Sequence, residues 1–256
     1  MRRLNMAGQP QSRNIEPATD VAPAGHGQDG RAKRNYAVLL LYLPVTALFV
    51  AGLVFAEEAN KAGVTPEEAK DGFVSLFDGK TLQGWTGDVN GYKVEDGAIA
   101  CHGDCLYTDK EYANFVLRFE FKLPPGGNNG VGIRTPKEGI PAFVGMEIQI
   151  LDDNAPKHKD LADYQYHGSI YGVVPAKRGA LTPIGQWNVE EITADGSHIK
   201  VTLNGKVIVD ADLKDIKDTP DHQPHPGLHN AKGYIGWLGH EADPVAFRNI
   251  RIKTLP

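Results

Sequence analysis

From Gly72 onward the hydrophobic positions recur at every second residue, which is the period of a β-strand with one face on a core. The longest such run is Asn114 to Leu123. There Phe115, Leu117, Phe119, Phe121 and Leu123 fall on one face, and Arg118, Glu120 and Lys122 fall on the other with Val116. This is the signature of an antiparallel strand that keeps one side in water. The stretch Gly145 to Asp153 also alternates strictly. Met146, Ile148 and Ile150 share one side, Glu147, Gln149 and Leu151 share the other, and Asp152 and Asp153 stand at the end.

Shorter runs fill the rest of this region. Phe73 to Phe77 is an apolar run closed by Asp78-Gly79-Lys80, and Tyr92 to Val94 leads through Glu95-Asp96-Gly97 into Ala98 to Cys101, a hairpin signal. Pro124 to Gly130 breaks the pattern, and Val131 to Arg134 resumes it with Val131 and Ile133 inward and Arg134 on the opposite face, the one expected to carry Glu147. Further strands are expected over Ser169 to Val174, Trp187 to Thr193, His198 to Leu203, Lys206 to Val209, Gly233 to His240 and Val245 to Lys253, with Asn204-Gly205 as a type I′ turn. The single helical candidate is Thr65 to Asp71, where Thr65-Pro66-Glu67-Glu68 reads as a capped start. Many short strands joined by Gly and Pro turns predict an all-β domain, a two-sheet antiparallel β-sandwich or jelly roll.

The N-terminal part follows a different pattern. Tyr36 to Ala56 contains no charged residue, is membrane-length, follows Arg31-Ala32-Lys33-Arg34 and ends in small residues before Glu57-Glu58. The expected organisation is therefore a disordered leader over 1–35, a signal peptide or transmembrane anchor over 36–56, a linker with a short helix over 57–71, and one domain over 72–256. Export to the periplasm or another extracytoplasmic space follows, with membrane anchoring if the segment is retained.

Within the net charge of −5, the first 56 residues carry +3 and the remainder −8. An acidic exported part argues against a nucleic-acid partner. Cys101 and Cys105 flank His102-Gly103-Asp104. In an oxidising compartment this spacing suits a disulfide, and the alternative is a metal site with His102 as a third ligand.

Five stretches together resemble the 3-keto-disaccharide hydrolase domain family. They are Phe73 to Trp85, Asn129 to Arg134, Gly145 to Asp152, Gln186-Trp187-Asn188 and Gly233 to Ile252. They occur in the family's order and span essentially all of residues 72 to 256. The resemblance implies a concanavalin-like jelly roll and an exported enzyme that splits glycosides oxidised to a ketone at C3. It also implies functional coupling to a sugar 3-oxidoreductase that supplies such a substrate.

A C3 ketone acidifies the hydrogen on C2, so a base can remove it and the C1 substituent can leave by β-elimination, with water adding afterwards. That route asks for a base, an acid and a positive group near the enolate. Glu147 matches the family's strand Glu and is the first candidate for acid or base. His240 matches the His after the Gly-rich penultimate strand and suits proton transfer. Arg134 is a candidate to stabilise the enolate or grip hydroxyls. Gln149, Asp152, Tyr171, His167 and Trp237 are candidates to bind the sugar, and His222, His225 and His229 offer imidazoles to a metal. The need for a divalent metal stays open.

Each of these residues also has a structural role to set against the chemical one. Glu147 and Arg134 can neutralise one another, and aromatic residues of a sandwich commonly belong to its core. A retaining glucanase of ordinary type needs two carboxyls about 5 to 5.5 Å apart, and Gln149 stands where the second would be expected. Two other readings accompany the 3-keto-glycosidase: a non-catalytic, lectin-like sugar-binding module, and an ordinary endo-glycosidase acting on unoxidised glucans.

Overall fold

The computed structural model describes residues 63–240 and 244–256. The expected leader at 1–35 and the uncharged segment at 36–56 lie outside the described residues. Among the described residues no helix is long and apolar enough to cross a membrane.

Helix α1 (Pro66–Lys70) begins as the sequence predicts. The Thr65 hydroxyl accepts from the Glu68 amide at 3.2 Å, and the Glu68 carboxylate accepts from the Thr65 amide at 3.1 Å. The strands that follow are β1 (Val74–Ser75), β2 (Trp85–Gly87), β3 (Tyr92–Glu95), β4 (Ala98–Cys101), β5 (Cys105–Thr108), β6 (Phe115–Lys122) and β7 (Asn128–Thr135). A short helix α2 (Pro141–Val144) precedes β8 (Met146–Leu151), and the remaining strands are β9 (Trp187–Asp195), β10 (His198–Leu203), β11 (Lys206–Asp212), β12 (Tyr234–Leu238) and β13 (Ala246–Thr254).

All the pairings are antiparallel. One sheet runs β11-β10-β9-β6-β13-β4-β3, with β1 paired to β13, and the other runs β2-β5-β12-β7-β8. The two sheets form a concanavalin-like β-sandwich. Phe115, Leu117, Phe119 and Phe121 of β6 and Phe247, Ile250 and Ile252 of β13 meet Val131, Ile133, Met146, Ile148, Ile150, Ile235 and Trp237 of the second sheet. Asn249 interrupts β13 with a φ of +51°, and the register against β6 shifts there, which lets Phe247 and Ile250 both face the core.

The hairpin turns carry the left-handed backbone that their residues favour: Asp96 and Gly97 have φ of 50° and 74°, and Asn204 and Gly205 have φ of 49° and 79°. The strand expected over Ser169 to Val174 is replaced by a turn. Ile170 bridges Ile148 of β8 and then Val174, because Gly172, at φ +77°, folds the chain back on itself. The segment still covers the open edge of β8: the Tyr171 amide donates to the Glu147 carbonyl at 2.9 Å and the Gly168 amide to the Gln149 carbonyl at 2.7 Å.

Candidate active site

The site begins with the alternation of β8. Met146, Ile148 and Ile150 are packed in the core, which turns Glu147 and Gln149 to the outer face of the five-stranded sheet. The entry to β8 is held by Asn230, whose Nδ2 donates to the carbonyls of Val144 at 2.7 Å and Arg134 at 2.9 Å.

Cross-strand register places a row of four residues across this face. Glu147 lies opposite Gly132 of β7, Gly132 opposite Gly236 of β12, and Gly236 opposite Tyr107 of β5. Beside it Gln149 lies opposite Gly130, and Leu238 opposite Cys105. Each glycine has a steric reason. A side chain at Gly130 would collide with Oε1 of Glu147, one at Gly236 would come within 2.6 Å of the Tyr107 ring, and one at Gly132 would press on Leu238 and Thr135. Glycines thus form a low floor with a carboxyl on one side and a phenol on the other.

Glu147 is 8% exposed, and its carboxyl has no hydrogen bond or ion pair among the described residues. Burial therefore disfavours its charged form without compensation and raises its pKa from 4.5 to about 7. Across the floor, burial likewise raises the Tyr107 phenol, helped by Cys105 and Asp104. Burial lifts the Cys105 thiol to about 11, with the Tyr107 interaction opposing and Asp104 and Glu147 adding to the rise. The Cys105 thiol thus feels both the phenol and the carboxyl. His240 follows β12 with the same parity as Gly236 and Leu238. Although its side chain reaches the surface, desolvation lowers its pKa against the pull of Asp104, which leaves the imidazole neutral near pH 7.

Along the edge of β8, Gln149 is buried, with its Nε2 3.4 Å from the Gln165 carbonyl. The half-buried Tyr171 accepts from Gln165 Nε2 at 2.8 Å and meets Tyr164 edge to face. Glu147 and Gln149 therefore share one face, with Tyr171 on the segment that covers its edge and His240 two residues beyond the end of β12.

The other sequence candidates are placed elsewhere. Arg134 has φ +47°, and its guanidinium turns away to donate to the carbonyls of Ala113 at 2.7 Å and Gly196 at 2.6 Å and to the Asn114 side chain at 3.1 Å. It braces loops and does not neutralise Glu147. Asp152 closes a turn, accepting from the amides of Gly126 and Asn154. Trp237 is 0% exposed, and its ring stacks on Phe247 at 4.2 Å, so it is core and not a sugar platform. His167 is also interior. Its Nε2 lies 3.1 Å from a carboxylate oxygen of Glu190, itself 0% exposed, and its Nδ1 accepts from the Leu151 amide.

The expected disulfide is not formed: Cys101 and Cys105 are free thiols. Cys101 faces the core, where Asn129 Nδ2 approaches its sulfur at 3.2 Å, whereas Cys105 belongs to the other sheet and faces outward. Among the described residues no group of three or more His, Cys, Asp or Glu side chains is gathered for a metal. His225 is instead held by the Ala142 carbonyl at 3.1 Å and the Asp221 carboxylate at 2.9 Å.

Two cavities of about 460 and 510 Å³ meet at Leu228 and His229 and contain none of the outer-face residues. Tyr107 and Cys105 of the candidate site were not legible as a wall in the sequence. The alternation Cys105-Leu106-Tyr107-Thr108 is the signal that carries them, with Leu106 and Thr108 turned inward.

A concanavalin-like sandwich with a desolvated carboxyl over a glycine floor defines the chain as a two-sheet β-sandwich protein with a candidate catalytic face. Residues 72–253 match the 3-keto-alpha-glucoside-1,2-lyase-like domain, and the chain belongs to that family. It is 29% identical to a 3-keto-disaccharide hydrolase of Bacteroides thetaiotaomicron, over 72% of this chain and 79% of that one. Two crystal structures of candidate glycosyl hydrolases from Parabacteroides distasonis share its fold. One is 32% identical, with a TM-score of 0.64, covering 72% of this chain and 99% of the other. The second is 27% identical, also with a TM-score of 0.64, over 75% and 98%.

Proposed function

We propose that the chain is an exported enzyme that cleaves 3-keto-glycosides, with Glu147 as the base that removes the proton from C2. The observation that carries this reading is the Glu147 carboxyl, buried, unpartnered and raised to about 7. A base of that strength is half ionised at neutral pH, and it gains most from a substrate whose C–H is already acidified by a neighbouring ketone. Loss of the C1 substituent then gives an enone, and water adding across C1 and C2 gives the free 3-keto sugar.

Among the described residues no second carboxyl stands beside Glu147, which fits elimination better than a two-carboxylate hydrolysis. Gln149 and Tyr171 are the hydroxyl-binding groups of this reading. His240, neutral and two residues beyond the end of β12, serves as an acceptor. Arg134 has no part in the chemistry, because its donors are spent on loop carbonyls. Export rests on the uncharged stretch Tyr36 to Ala56 and its basic flank. An oxidoreductase acting on the parent glycoside must supply the ketone.

The test is release of the aglycone from a 3-keto-glucoside and from its unoxidised parent, with and without a chelator. Release from the keto compound alone is expected, and Glu147→Gln should lower it by roughly 10²-fold or more. Equal release from both compounds would favour an ordinary glycosidase, and binding without release would favour a sugar-binding module.

A further inference from the structure

Elimination at C1 also needs a proton for the departing oxygen, and the candidate base cannot supply it while it takes one from C2. Among the described residues the outer face offers few donors. Gln149 has an amide that does not give up a proton at neutral pH, and His240 is held in its neutral form. The Cys105 thiol is a weak donor.

Tyr107 differs from all of these in position and chemistry. It stands in the same cross-strand row as Glu147, separated from it only by Gly132 and Gly236. The two Cα positions are three strand spacings apart, roughly 14 Å, and the side chains reach inward from both ends of that span. The Tyr107 ring lies over Gly236, where even a methyl group would come within 2.6 Å of it. Cys105, two residues before Tyr107 on the same strand, shares its face and lies opposite Leu238. The Leu238 side chain lies over Gly132 between them, so the phenol and the carboxyl stand at the two ends of a floor made of Gly236, Leu238 and Gly130.

We propose that Tyr107 is the acid that protonates the departing glycosidic oxygen, opposite Glu147 across the glycine floor. This rests on the 3-keto-glycoside reading above. The C2–H bond breaks and its proton goes to Glu147. The electron pair forms the C1–C2 double bond conjugated with the C3 ketone. The C1–O bond breaks with its electrons on oxygen, and that oxygen takes the proton of the Tyr107 hydroxyl. The products are an alcohol and an enone, and the tyrosinate regains a proton from the Glu147 acid through water, so both residues return to their starting state. Burial raises the phenol above its ordinary value, so the hydroxyl keeps its proton at neutral pH until the glycosidic oxygen departs.

The experiment compares wild type, Tyr107→Phe and Glu147→Gln on methyl 3-keto-glucoside, whose alkoxide needs a proton to leave, and 4-nitrophenyl 3-keto-glucoside, whose phenolate does not. Phenylalanine keeps the ring over Gly236, and an unchanged melting temperature verifies the fold. Tyr107→Phe should lose roughly 10²–10⁴-fold in kcat/KM on the methyl compound and little on the nitrophenyl compound, while Glu147→Gln loses both. Equal losses on the two substrates, or none on either, would overturn the assignment of Tyr107 and leave the reaction standing. A wild-type protein inactive on both would overturn the reaction itself and Tyr107's role with it. As a second measurement, wild-type rates should depend weakly on leaving-group acidity and the variant's rates steeply. A steep dependence in wild type also counts against Tyr107.

Discussion

Replacing Glu147 with glutamine should stabilise the protein at neutral and alkaline pH while it removes activity. The folded carboxyl titrates at about 7 against an ordinary 4.5. Between those values the folded state binds more protons than the unfolded chain, so stability falls as the pH rises through that window. At about 1.4 kcal/mol for each pH unit, the loss accumulated above pH 7 is about 3 kcal/mol. For a domain of this size that is a change of roughly 6 to 12 °C in melting temperature. Glutamine has no such titration, and any fixed cost of its amide is the same at every pH.

The assay is therefore thermal unfolding of both proteins from about pH 4 to about pH 8, read as variant minus wild type. The difference should climb between the two pKa values and level off above the upper one. A flat difference, or one that moves in favour of wild type as pH rises, would refute the claim that Glu147 is desolvated without a partner.

Other consequences follow from the same geometry. Gly130→Ala keeps an allowed backbone, since Gly130 has no positive φ, but its methyl displaces the Glu147 carboxyl; kcat/KM should fall by roughly 10²-fold with the fold intact by circular dichroism. Trp237→Ala should cost about 3–5 kcal/mol in urea unfolding, because the ring fills the core against Phe247, Phe119 and Trp85. Thiol titration of the unfolded, unreduced protein should find both Cys101 and Cys105 free, and reductant should leave the melting temperature unchanged.

The fold was legible wherever alternation ran long enough to decide a face. Asn114 to Leu123 and Gly145 to Leu151 show their inward residues directly, and Asn204-Gly205 shows its turn. Strands as short as Trp85–Gly87 and Cys105–Thr108 carry too few alternations to be read, and the second of these supplies the far wall of the site.

Parity alone placed Glu147 and Gln149 correctly but misplaced Arg134, because its left-handed backbone re-aims the side chain. Trp237 and His167 failed as sugar contacts for a related reason. Residue type suggested a ligand, whereas the register of β12 and the buried Glu190 decide where the rings lie. The glycine floor was invisible because it is a property of three strands at once. Gly130, Gly132 and Gly236 become meaningful only when the register brings them beneath Glu147, Leu238 and Tyr107.

The central claim is removal of the C2 hydrogen, and the most direct measurement is turnover of a 3-keto-glucoside in deuterated water. The sugar product is to be examined at early times against a control for spontaneous exchange. Elimination followed by addition of water predicts deuterium at C2 of the released 3-keto sugar, and Glu147→Gln should abolish its appearance. Release of a sugar that retains its original C2 hydrogen would contradict the account and show direct displacement at C1.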